Sequence, residues 1–169
     1  MSLNPLNQHQ IPEKSILDIN GRQTYLGNSF ILPHNGFSTS DTNEDPMIVI
    51  SNPATSTVSL FMFSRKTWST NNLAEIRFYT NPTVNVAGAT TTPINLRSGS
   101  AYTSQALCYE SATITSNGTF AIALPAFSTS LSVSDILVIL DPGSSMLVTC
   151  KQSGSGTSKY YASLNWFEI

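Results

Sequence analysis

Apolar residues along this chain come in short runs separated by Gly, Pro, Asn and Ser, and no stretch keeps the spacing of a helix face. The densest run is Ile136-Leu137-Val138-Ile139-Leu140, too short to cross a bilayer and suited to a strand buried on both faces. Asp141-Pro142-Gly143-Ser144 ends it. Proline presets φ for the second position of a turn, and Gly143 can take the positive φ that a type II turn asks of the third. Ser145 to Cys150 is again apolar and partly β-branched, so residues 136–150 read as a β-hairpin with a four-residue corner.

The same reading runs through the rest. Ser15 to Ile19 predicts a short strand, Asn20-Gly21 a hairpin turn and Arg22 to Leu26 its return. Asn28 to Leu32 is a further strand, and His34 to Pro46 a loop. Met47 to Ile50 is a short buried strand capped by Asn52-Pro53. In Val58 to Phe63, apolar side chains fall on both faces, because Val58, Leu60 and Met62 alternate with Ser59, Phe61 and Phe63. Leu73 to Thr80 sets Ala74, Ile76 and Phe78 against Glu75, Arg77 and Tyr79; the two charges read as an exposed pair of little energy. Asn81-Pro82 stops that strand, and a long loop follows to Leu96. Asn117-Gly118 marks a second hairpin, with Phe120, Ile122 and Leu124 on one face of its return. Pro125 to Ser134 is a connection, and Gln152 to Ser158 a mobile Gly/Ser loop. Tyr160 to Ile169 closes the chain as a strand that is apolar at period two on both faces. The sum is an all-β fold: an antiparallel, jelly-roll-like β-sandwich of about eight to ten strands. It forms one domain over residues 15–169, and the polar residues 1–14, with Pro5 and Pro12, form an N-terminal arm.

Composition sharpens this. Charged residues are only 11% of the chain, under half the share of an ordinary soluble domain, while 25 Ser and 19 Thr supply the polar surface. Such a surface suits strands, and it suits contact with neighbouring subunits, where charge is depleted. Lys and Arg number eight and are scattered, so no basic stripe exists for nucleic acid. No apolar run reaches bilayer length, and Met1 to Pro5 lacks the regions of a signal peptide, which places synthesis in a reducing cytoplasm and excludes a membrane partner. Cys108 and Cys150 read as small core residues, with a disulfide left open.

Chemistry is hard to find. Asp41, Glu44 and Asp45 share a loop but lack the spacing of a calcium site. His34 with Ser38 and Asp41 is triad-like only in composition, because one loop cannot hold such a geometry, and His9 lies in the arm. Paired carboxylates would have to come from Glu75, Glu110, Asp135, Asp141 or Glu168. Asn117-Gly118-Thr119 fits a glycosylation pattern but serves as a turn. Trp68, Tyr79, Tyr102, Tyr160 and Tyr161, with hydroxyl neighbours, are candidates to stack on a sugar or to sit in a core or subunit contact. No catalytic, cofactor or metal site is assigned, and the chain does not read as an enzyme.

Several stretches taken together resemble small β-rich structural proteins of tailed phages and related viruses. The pattern is Asn52-Pro53, Asn81-Pro82, then Pro93-Ile94-Asn95-Leu96, the Pro142-Gly143-Ser144 corner and the closing Asn165-Trp166-Phe167-Glu168. It covers residues 47–169, and Asp141 departs from it. The resemblance implies a virion component, made in the host cytoplasm. It would be a homotrimer that decorates the capsid, binds the major capsid protein or another virion protein, and stabilises the assembled shell. The alternative it implies is the receptor-binding tip of a head or tail fibre that engages host-surface glycan.

Overall fold

The computed structural model describes residues 19–33, 36–39, 42–70, 74–126, 132–134, 138–154 and 156–169. One helix, α1 (Ile19–Leu26), precedes β1 (Ser29–Pro33), β2 (Phe37–Thr39), β3 (Glu44–Ser51), β4 (Leu60–Ser69) and β5 (Ala74–Thr80). A run of short strands follows: β6 (Thr83–Val86), β7 (Ala89–Thr91), β8 (Ile94–Asn95), β9 (Leu107–Glu110) and β10 (Thr113–Ser116). The chain finishes with β11 (Thr119–Ala126), β12 (Ser132–Ser134), β13 (Val138–Leu140), β14 (Ser145–Gln152) and β15 (Ser158–Glu168). Ten of these fifteen strands have four residues or more, and the others are edge fragments.

The pairing is nested. β5 pairs β11, β4 pairs β12 and β13, β3 pairs β14, and β1 pairs β15, all antiparallel. Successive members of this folded-over hairpin fall in opposite sheets, except that β5 and β11 are neighbours in one. Sheet I therefore runs β12-β4-β15-β1-β8, with β13 also on β4 and β2 on β15. Sheet II runs β11-β5-β14-β3-β9-β7. Two four-strand layers in this order are the jelly roll. Residues 81–118 are an excursion from its closed end: they add β8 to one sheet and β9 and β7 to the other, and form a separate β6–β10 pair.

Alternation along each strand fills the space between the layers. Sheet I contributes Phe30, Leu32, Leu60, Met62, Tyr160, Leu164 and Trp166; sheet II contributes Ile48, Ile50, Ile76, Phe78, Met146 and Val148. All are at least 99% buried, each stabilising the fold by roughly 1.5–3 kcal/mol relative to exposure. Cys108 and Cys150 lie in the same core as free thiols, which settles the question of a disulfide.

Several predicted pairings are corrected. The turn at Asp141–Ser144 forms as expected, with the Ser144 N–H donating to the Asp141 carbonyl at 2.9 Å and Gly143 at φ +87°. Yet it is no hairpin, because β13 pairs β4 in sheet I while β14 lies between β5 and β3 in sheet II. Nor is that first strand buried on both faces, since Ile139 is 46% exposed; Ile136 and Leu137 fall outside the described residues. Asn117-Gly118 likewise passes from β10, paired to β6, to β11, paired to β5. A register shift between Phe120 and Ile122 then takes Phe120 off the face it was expected to share.

The Asn20-Gly21 hairpin is replaced by α1. Arg22, Gln23 and Leu26 are good helix formers, and Gly27 closes the helix. The Gly27 N–H donates to Thr24 O and the Asn28 N–H to Gln23 O, the paired bonds of a Schellman end. Glu44–Pro46, expected in a loop, begin β3, with Pro46 at a register shift beyond the reach of β9. The loop expected from residue 83 to 96 contains three short strands. The N-terminal arm, residues 1–14, lies outside the described residues, as do His9, His34, Asp41 and Asp135.

Asn52 ties the two layers at one end. Its fully buried amide donates to the carbonyls of Val58 and Leu140, both at 2.8 Å, while its backbone bonds Ser144 and Gly143. Asn52→Asp keeps the shape and replaces the Nδ2 donor with an oxygen that faces both carbonyls. We expect it to cost about 2–4 kcal/mol near neutral pH. Burial raises the folded-state pKa of the new carboxyl above its unfolded value of about 3.9, so the deficit shrinks as pH falls through that window and protonation restores one donor. Urea unfolding at about pH 7 and pH 4 measures both effects; a deficit that is absent or pH-independent refutes the tie.

Candidate functional site

The outer faces of the two sheets differ sharply. On sheet II, the β6–β10 pair folds over the sheet: Val84, Tyr109 and Ile114 pack against buried Val49, Tyr79, Ala112 and Leu147. Beside them Arg77 bridges Glu75 at 2.7 Å and Glu44 at 3.0 Å, and Thr149 donates to Glu44 at 2.7 Å. The charges expected as a simple exposed pair are thus a three-membered group, with Glu44 recruited from β3. Burial works to raise the Glu44 pKa, but hydrogen bonds from Thr149 and Tyr79 and the Arg77 charge outweigh it and hold the carboxyl below its usual range. This network engages Glu44 among the former calcium candidates, while Asp45 lies opposite Cys150 in the β3–β14 ladder.

Sheet I carries aromatic and aliphatic side chains outward instead. Phe167 on β15 stacks on Phe61, with centroids 5.2 Å apart and planes 8° apart, and on Phe63 at 5.7 Å. Ile139 on β13 lies opposite Phe61, exposed. Across β15 the partner of Phe167 on β1 is Ser29, and Ile31, opposite Asn165, leads in a neighbouring row to Ile94 on β8, 55% exposed. Near the other end, Trp68 and Tyr161 are directly opposite on β4 and β15, with ring centroids 4.8 Å apart and a 40° tilt. The charges on the described part of this face are Lys66 and Lys159. Ser29 Oγ and Asn165 Oδ1, on the same face, are buried without a hydrogen-bond partner.

Of the five aromatic candidates, the fold brings together only Trp68 and Tyr161. Tyr79 belongs to the covered face of sheet II, with Phe120 edge-on to it at 5.6 Å. Tyr160 is fully buried and donates its hydroxyl to Gln152 at 2.7 Å. That same Gln152 donates to the carbonyls of Gly154 and Gly156, holding the Gly/Ser loop that follows β14. Tyr102 packs on Phe30 and reaches Glu168. The Phe61–Phe167–Phe63 stack escaped the sequence reading as a unit. Its signal was there, in two strands that carry apolar groups on both faces.

The candidate carboxylates occupy separate places. Glu75 is engaged by Arg77, Asp141 accepts from Ser59 Oγ at 2.7 Å, and Glu110 ends β9. Glu168 is the unusual one: 1% exposed, it accepts from Ser104 Oγ at 2.5 Å, Tyr102 Oη at 3.1 Å, and Trp166 Nε1 and the Gln105 N–H at 3.2 Å. A carboxylate so fully supplied with donors is a clamp, fixing the strandless stretch before β9 onto the end of β15. Its neighbours respond. Burial, then the Glu168 charge, raise the Tyr102 pKa, and the same causes push the Cys108 thiol up to about 12. Among the described residues, no group of three His, Cys, Asp or Glu is placed to hold a metal ion, and no helix is long and apolar enough to cross a membrane.

No family model, curated protein or solved structure matches this chain.

The clamp makes a definite prediction. Glu168→Gln removes the charge and leaves one acceptor oxygen for two donor-only groups, Trp166 Nε1–H and the Gln105 N–H, and two hydroxyls that must reorient to accept from the new N–H₂. It should destabilise the protein by about 2–4 kcal/mol in urea unfolding. Amide hydrogen exchange at Gln105 and Ala106 should accelerate more than in the β14–β3 ladder. Unchanged exchange at Gln105 would remove the clamp from the account.

Proposed function

We propose that this protein is a structural subunit of a virus particle that works by burying its surface against other subunits. In this reading it forms a homotrimer and decorates the capsid, contacting the major capsid protein. Because it binds the assembled shell and not its separated parts, it stabilises that shell by linkage. The observation that carries the assembly part is the outer face of sheet I, where exposed Ile139 adjoins the Phe61–Phe167–Phe63 stack. Sheet II has the β6–β10 pair on its outer face, whereas on sheet I Ile139 and Ile94 stay exposed. Low overall charge agrees, since interface cores are depleted in charged residues.

The virion part rests on the turn and strand signatures across residues 47–169, and the jelly-roll order is compatible with it. Viral coat domains and lectins share that order, so the fold by itself does not choose between a shell component and a glycan-binding fibre tip. The Trp68–Tyr161 pair is the observation that favours the second reading.

Ile139→Lys tests the assembly. This side chain is exposed in the single chain, so the variant should fold with an unchanged melting curve at high dilution, while its charge opposes burial. Sedimentation equilibrium at micromolar concentration should show trimers of the parent chain and monomers of the variant. A parent chain that stays monomeric, or a variant that assembles equally well, sinks the proposal. Electron microscopy of particles carrying the labelled protein locates it on shell or tail.

A further inference from the structure

We infer that the Trp68–Tyr161 pair and its immediate neighbours form a binding site for a pyranose ring, separate from the apolar surface at the Phe61 end of the same face. The two rings share a cross-strand position, and the next outward positions along the same strands are Lys66 and Ser163, themselves paired. Cross-strand and along-strand spacings make these four a rectangle of roughly 5 by 7 Å, the footprint of one or two sugar rings. Half of that rectangle is aromatic surface and half carries hydrogen-bonding groups.

That division matches a pyranose, whose ring C–H groups form an apolar face bordered by hydroxyls. The half-buried rings of Trp68 and Tyr161 take the C–H face, and the Lys66 ammonium and Ser163 hydroxyl reach the hydroxyl edge. The Phe61 end offers no such exposed partner: Ile139 and the three phenylalanines are hydrocarbon, and Ser29, opposite Phe167, is buried. Lys66, exposed, also argues against a dry subunit contact here, because burying an ammonium is costly.

The platform is held rigid. Gly36 lies so close that a Cβ there would sit 3.0 Å from Tyr161 Cε1, so the backbone itself buttresses the ring. Just beyond the pair, the Thr70 N–H donates to the Lys159 carbonyl and the Lys159 N–H to Thr70 Oγ1, both at 2.9 Å, locking β4 to β15. Preorganised aromatic groups of this kind lose little freedom on binding.

The chain supplies its own reporter. It has two tryptophans, and Trp166 is fully buried with its Nε1–H on Glu168, which leaves Trp68 as the residue whose emission a surface ligand changes. The full chain is titrated with the methyl glycosides of glucose, galactose, mannose, N-acetylglucosamine and N-acetylneuraminic acid, following tryptophan emission and saturation-transfer NMR. At least one sugar should give a saturable change at millimolar concentration. Tyr161→Ala should weaken it roughly tenfold or more, Tyr161→Phe should retain most of it, and Lys66→Ala, at an exposed position that does not bear on folding, should weaken it several-fold. All three variants should sediment as the parent does, so that failure here is distinct from failure of the assembly reading. No saturable change with any of the five glycosides overturns the site. So does binding that survives both Tyr161→Ala and Lys66→Ala, and so does a change of oligomeric state in Tyr161→Ala, which would assign the pair to subunit contact.

Discussion

The arrangement depends on β15 lying between β4 and β1. It pairs from Tyr160 to Glu168 along β4 and from Ser163 to Phe167 along β1, so the middle of sheet I has no continuity without it. Its two faces do different things. Tyr160, Leu164 and Trp166 enter the core, while Tyr161 and Phe167 face outward beneath the aromatic partners of β4. At its end, Glu168 turns inward and collects the donors that fix the excursion between β5 and β11. One strand thus sets the core, the outer face and the position of a long irregular segment.

A chain with few charges has to satisfy its buried backbone by other means. Amides do this at several points, and Asn52, Asn95 and Gln105 each join segments distant in sequence. Asn52 reaches Val58 and Leu140, and Asn95 donates to the carbonyls of Gly27 and Tyr102. Gln105 accepts from Ser56 and Thr57, and Gln152 joins Tyr160 to the loop after β14. An amide carries donor and acceptor together and stays neutral when buried, so it can replace a missing strand partner without the desolvation cost of an ion. Charge scarcity therefore has a source in the fold as well as in any interface. The low charge count supports assembly only in combination with the exposed Ile139 beside the Phe61–Phe167 stack.

What the sequence made legible was local. The strands at 28–32, 47–50, 73–80 and 160–169 are read correctly to within a few residues, and 58–63 gives the first half of β4, because alternation and β-branching are properties of each segment. The corner at Asp141–Ser144 is likewise a local fact of proline and glycine geometry. Partner choice is not local. The expected hairpins at 117–118 and 141–144 join strands that belong to different sheets, and only the closing of the nested hairpin decides this. The helix at 19–26 was hidden because Asn20-Gly21 outweighed Gly27, although Gly27 was the residue with the terminating bonds. The residues that carried the viral resemblance also gain folding roles: Asn52, Asn81, Asn95 and Glu168 each hold a turn or an irregular segment. Such a signature identifies a way of closing a jelly roll more directly than it identifies a particle.

For the candidate site, the sequence supplied the ingredients without the arrangement. Trp68 and Tyr161 are 93 positions apart, and nothing in either strand says that they face one another across the β4–β15 ladder. Once that ladder is fixed, the outward positions of two strands order themselves into a gradient along a single face. Hydrocarbon lies at Ile139, Phe61 and Phe167, and aromatic rings edged by Lys66 and Ser163 lie at the far end. A uniformly apolar face would suit one occupant, but this one changes chemistry over its length. The two ends therefore call for different partners, and a rigid sheet can hold both without either disturbing the other's geometry.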